Sequence, residues 1–187
     1  GGKHYTKNKQ GQPYVDQNFD NYSVEYTYAD GTKLMHYGRT IEGCHNEFAS
    51  YIHGTKGFGT FSKNGHWPAP SALYTGLTPN PKNQTWKFPA RETNPYQDEW
   101  DDLLDAIRND KPYNEAERGA LASQVCNMGR MAAHTGQKVM WDDALNAEPL
   151  APDLENLVGL DGDAPVKANA DGSYPSPQPG ITKNREY

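Results

Sequence analysis

The chain has 187 residues, of which only 35% are hydrophobic, and a formal net charge of −6. The length suits one domain, but the apolar share lies below the ~45–50% of ordinary globular proteins, so a modest core with long loops is expected. Lys and Arg are scattered without a basic stripe and no apolar run nears the ~20 residues of a bilayer span, which argues against nucleic-acid partners and membrane insertion.

Residues 1–20 are polar and rich in Gly, Asn and Gln, and read as an arm or loop. Order is expected from Asn21. Tyr22, Val24, Tyr26 and Tyr28 recur at every second position, and Lys33 to Ile41 resumes an extended pattern after Asp30-Gly31. Asp-Gly between two such runs predicts a β-hairpin, with both turn residues at positive φ. The tyrosine row suits a core or a subunit interface better than a carbohydrate platform.

Glu47 to His53, a turn at Gly54 to Gly57 and Phe58 to Ser62 predict a second hairpin. Its glycines lack the spacing of a phosphate loop and precede no helix, so they read as turn residues. Residues 64–94 read as a long proline-rich loop with at least one short strand near Thr85 to Phe88.

Asn94-Pro95 caps and starts a helix, whose Tyr96, Trp100, Leu103, Leu104 and Ile107 share one face. Asp98, Glu99, Asp101 and Asp102 lie near its positive end, and Pro112 is expected to break it. Asn114 and Glu117 have the spacing of a capping box for a second helix, with a core stripe of Leu121, Val125, Met128 and Ala132. Small residues along it, Gly129 among them, allow close approach to a sheet. That helix is expected to stop at Gly136 in the left-handed conformation, with His134 as a cation in the last turn. Asp142-Asp143 would cap a short restarting helix at Trp141, and 148–187 would be an extended Pro/Gly-rich tail.

No nucleophile elbow, H-E-x-x-H, Walker loop or dinucleotide fingerprint occurs in the chain. Cys44 and Cys126 lack metal-ligand spacing and are expected as buried free thiols, a single disulfide being the alternative. No metal site is expected. His36, His45, His53, His66 and His134 could do acid/base work, but spacing alone gathers none of them with an acid. The best local cluster runs from Tyr37 to His45. Alternation puts Met35, Tyr37, Arg39 and Ile41 on one face, while Arg39 and His45 offer donors to hydroxyls or a carboxylate. Tyr37, Arg39 and His45 are therefore the candidate substrate contacts; the plainer reading of Arg39 is an ion pair at a sheet edge.

Several segments, in order, resemble the C-terminal half of the glucose-fructose oxidoreductase / inositol dehydrogenase (Gfo/Idh/MocA) family. They are Val24-Glu-Tyr-Thr-Tyr-Ala-Asp-Gly31, Arg39-Thr-Ile-Glu-Gly-Cys44, His53-Gly-Thr-Lys-Gly57, Asn94-Pro-Tyr-Gln-Asp-Glu99 and Gly129-Arg-Met-Ala-Ala-His-Thr-Gly136 through Trp141. His45 and Trp100 depart from that pattern, where relatives tend to have Trp and His. The resemblance implies an α+β fold of the dihydrodipicolinate-reductase-like kind over 21–147, a largely antiparallel open sheet with helices packed on one face. It implies the substrate-binding and oligomerisation part of an NAD(P)-dependent sugar or polyol oxidoreductase, self-associating through the open sheet face. The catalytic residues and the NAD or NADP site would then lie upstream, so no cofactor is expected in this fragment and no activity from it alone. The alternatives are a non-enzymatic dimerisation or carbohydrate-binding module and an NAD-dependent redox-assisted glycosidase. Cytoplasm and periplasm both remain open as its compartment.

Overall fold

A computed structural model of the chain describes residues 6–7, 10–11, 13–14, 18–64, 71–89, 94–147, 157–164 and 166–184. The chain divides into two compact units, 1–43 with 115–187, and 44–114; the stretch 21–147 read from sequence as one domain contributes to both.

In the first unit, β1 (Thr6–Lys7) and β2 (Pro13–Tyr14) pair antiparallel, so the polar arm is more than a loop. β3 (Asn21–Thr27) and β4 (Lys33–Arg39) form the predicted hairpin. Its turn differs in one respect: Gly31 takes φ 84°, but Asp30 is not among the non-glycine residues at positive φ. The Asp30 carboxylate instead accepts the Thr32 N–H at 2.9 Å, and the Gly31 N–H donates to Tyr28 O at 2.9 Å. One glycine suffices because the loop is longer than two residues. The bond from Thr32 also holds the Asp30 carboxyl below its usual range.

The second unit opens with β5 (Ala49–Gly54) and β6 (Gly57–Lys63), the other predicted hairpin. β7 (Ala72–Thr75) and β8 (Gln84–Lys87) extend it to a four-stranded antiparallel sheet in the order β5-β6-β7-β8. β8 matches the strand expected near Thr85, whereas β7 lies in the stretch read as loop. A short 3-10 turn, Pro81–Asn83, leads into β8, with Asn80 and Asn83 capping each other. Helix α1 (Pro95–Arg108) begins as expected, the Asn94 side chain accepting from the Tyr96 N–H at 3.1 Å. It ends before Pro112 is reached, because Asp110 takes φ 50° and leaves the helical region.

Helix α2 (Ala116–Thr135) returns to the first unit and packs against β3 and α3 (Trp141–Leu145). The expected capping box at Asn114 is not what starts it. The N-cap is Glu115, at φ −110° and ψ 9° without a side-chain cap bond, and its carboxylate pairs instead with Arg118. The far end is as expected: Gly136 takes φ 69° and its N–H donates to Ala132 O at 2.9 Å. α3 is capped at Met140, which moves Asp142 and Asp143 from the cap into the first turn, still at the positive end of the dipole. The described part of the tail carries turns rather than helix, and its Gly180 N–H donates to Thr135 O at 2.9 Å.

The architecture is thus α+β with antiparallel sheets. Among the described residues the strands fall into three sheets rather than one, and the two long helices do not share a covering role. α2 carries small residues at its sheet contact, which permits close packing; α1 has a bulky apolar row, and its Tyr96, Trp100 and Ile107 are exposed.

Candidate functional site

Tyr37 and Arg39 lie on β4, opposite Ser23 and Asn21, and alternation gives them one face with Met35. Ile41 falls beyond the end of the strand. Tyr37 is 74% exposed. His45 belongs to the other unit and is also exposed, so the structure joins Tyr37 and Arg39 on one strand but does not add His45 to that unit. Of the other histidines, His53 rests edge-on against Phe58 with ring centroids 5.0 Å apart, and His66 lies outside the described residues.

His134 sits in the last turn of α2, as expected, and is packed inside rather than exposed. It is 0% exposed, with its Nε2 2.8 Å from the Tyr22 hydroxyl and Phe19 edge-on at 5.0 Å. The Phe19 N–H donates to the same hydroxyl at 3.1 Å, so Tyr22 ties strand, preceding turn and helix end together. The thiols differ from expectation: both are free, but Cys126 is exposed and Cys44 only half-buried. Cys126 lies on the solvent side of α2, next in sequence to the helix contact with β3 rather than within it.

That contact is made by Tyr26. Its hydroxyl donates to Val125 O at 2.9 Å, across the point where α2 comes nearest the sheet. A Cβ at Gly129 would collide with this hydroxyl, so residue 129 has room only for hydrogen. Burial pushes the Tyr26 phenol above its usual range, with Cys126 and Tyr28 adding to the effect.

Beside this contact the first unit has a groove of ≈ 760 Å³. It is lined by residues 23–29 of β3 and its turn, by the connector Gln137 to Trp141, and by Met128, Ala132 and Ala133 of α2. Both the size and the mixture of apolar side chains with a few polar groups suit a binding cleft. Nothing in the spacing of the connector says that it will line a groove together with a strand more than a hundred residues away.

The second unit carries a different feature. Register places Ile52, Gly59, Leu73 and Trp86 in one row across all four strands. The opposite face holds the buried Phe58 and Ala72, whereas on this face Ile52 and Leu73 are each 49% exposed and Trp86 45%. Phe61, the extra residue where the β5–β6 register shifts, is exposed too.

The turn glycines of the second hairpin do not suit a dinucleotide. Gly54 and Gly57 bracket a hairpin turn, and a Cβ at Gly57 would strike Tyr74 O, so its small size serves a neighbouring strand and no helix follows to face a phosphate. Among the described residues no group of three His, Cys, Asp or Glu side chains could hold a metal ion, and no helix is long and apolar enough to cross a membrane. Comparison with protein-family models, curated proteins and solved structures finds no match to the chain.

Proposed function

We propose that this chain is the substrate-binding and oligomerisation part of an NAD(P)-dependent sugar or polyol oxidoreductase, with the dihydrodipicolinate-reductase-like domain of the Gfo/Idh/MocA family. The dinucleotide is held outside these 187 residues, and the chain alone transfers no hydride. What carries the reading is the uncovered apolar row Ile52, Leu73 and Trp86, a sheet face that in water favours being covered by a second copy. The ordered set of sequence segments shared with the family supports the same reading. Tyr37 and Arg39, which share one strand, are the sugar contacts, the guanidinium donating to hydroxyls and the phenol covering a ring face.

Assay of a longer protein containing this chain, with NAD and with NADP, on a panel of free sugars, polyols and glycosides tests it. Oxidised sugar and reduced nicotinamide in step are the expected products. Glycoside cleavage without net nicotinamide reduction would point to redox-assisted hydrolysis, and sugar binding without turnover to a non-enzymatic module.

A further inference from the structure

We propose that the groove beside β3 docks an extended peptide segment as an added strand, with apolar side chains on α2 and a carboxylate at Lys138. This is independent of the oxidoreductase reading. It begins with the hydrogen-bond parity of the hairpin. Thr40 N–H donates to Asp20 O at 2.8 Å and Tyr28 N–H to Thr32 O at 2.9 Å, one pair at each end of the ladder. The pairs between them alternate, so Tyr22, Val24 and Tyr26 exchange bonds with β4. Ser23, Glu25 and Thr27 therefore turn their N–H and C=O groups to the opposite edge, which pairs with no strand among the described residues.

That edge lines the groove. Five strand residues, 23–27, present about 17 Å of it, with an N–H and a C=O at every second residue. This repeat matches another extended main chain and no compact small molecule. Alternate side chains of an added strand would meet Met128, Ala132 and Ala133 of α2, which line the same groove and of which the two alanines are small. The other edge of the hairpin is less inviting: the outward residues of β4 include Lys33 and Arg39 at its two ends, charges of the kind that protect an edge.

Charge selects among peptides. Glu25 is already held by Lys33 at 2.5 Å, whereas Lys138 of the connector has no ion pair among the described residues. Lys138 thus offers an occupant a positive charge that no described carboxylate pairs with, and an acidic residue complements it.

The test uses the whole chain and a synthetic peptide alternating valine with threonine and ending in aspartate, beside a counterpart ending in lysine. Amide hydrogen exchange should show protection at Ser23, Glu25 and Thr27 when the aspartate peptide binds, and this peptide should bind about threefold more tightly than its counterpart. Lys138→Glu, an exposed change that leaves the fold intact, should reverse the order. Ser23→Pro removes one outward N–H without touching a bond to β4 and should weaken both peptides. Absence of binding, protection on the outward amides of β4, or a preference unmoved by Lys138→Glu would each overturn the proposal. Protection of Ser23, Glu25 and Thr27 that grows with protein concentration and needs no peptide would overturn it in favour of a second copy.

Discussion

At the scale of single residues, Gly129 and Tyr26 form one device. Alanine normally stabilises a helix interior relative to glycine by about 1 kcal/mol. Here its methyl would displace the hydroxyl that donates to Val125 O, so Gly129→Ala should instead destabilise by about 1–3 kcal/mol in urea unfolding. In a Tyr26→Phe background the loss should shrink, and equal losses in both backgrounds would show that the two positions are not coupled. Titration gives a second check on the same phenol. Its pKa is raised on folding, so its contribution is complete below pH ~10 and is lost as pH rises through the folded value. Wild type should therefore lose stability more steeply above pH ~10 than Tyr26→Phe. Gly136 is constrained twice, by φ 69° and by Gly180 N, which would be 2.8 Å from an added Cβ. Gly136→Val should cost about 1 kcal/mol or more, and Gly136→Asn, which tolerates the left-handed region, should not recover all of it, because the tail still blocks the Cβ. The left-handed cap was legible in Thr135-Gly136; the tail that leans on it was not, since no local pattern links residue 136 to residue 180.

At the scale of elements, the two hairpins and several helix ends were readable, whereas the Asn114 capping box and the pairing of β7 were not. Asn94-Pro95, the Asp30-Gly31 hairpin and the stop at Gly136 each follow from backbone preferences of adjacent residues, and each is present. β7 was missed because Ala72-Leu-Tyr-Thr75 is too short to show a period and gains its order from hydrogen bonds to β6 and β8 on both sides. The row Ile52, Gly59, Leu73, Trp86 is invisible in sequence for the same reason, as its members come from four strands aligned only by register. The candidate contacts Tyr37 and Arg39 were legible as a face because both lie on one strand, whereas His45 follows its end and falls in the other unit. If the row is the self-association surface, Trp86→Lys should shift the chain toward monomer in sedimentation at fixed concentration. A lysine at Tyr37, on the hairpin of the first unit, should leave the distribution where it is. The reverse pattern would move the interface to β4.

At the scale of the whole molecule the thin core decides what to expect. A chain of this length ordinarily buries about 70% of the surface it exposes when unfolded, yet the apolar side chains buried among the described residues are Phe58, Ala72, Ala106 and Ala144. Large apolar groups such as Trp86, Leu73, Trp100 and Ile107 stay in contact with water. Apolar area left outside contributes to stability only when something covers it, at about 25 cal/mol per Å² removed from water. Association and folding should then be linked, because a partner that binds only the folded state raises its stability with concentration. The melting temperature of the wild-type chain should accordingly rise with protein concentration, by a few degrees per decade, and that of Trp86→Lys should stay nearly constant. The two proteins should converge at high dilution, where neither is associated. A concentration-independent melting temperature in the wild type would separate stability from assembly and leave the exposed sheet face without the role assigned to it here.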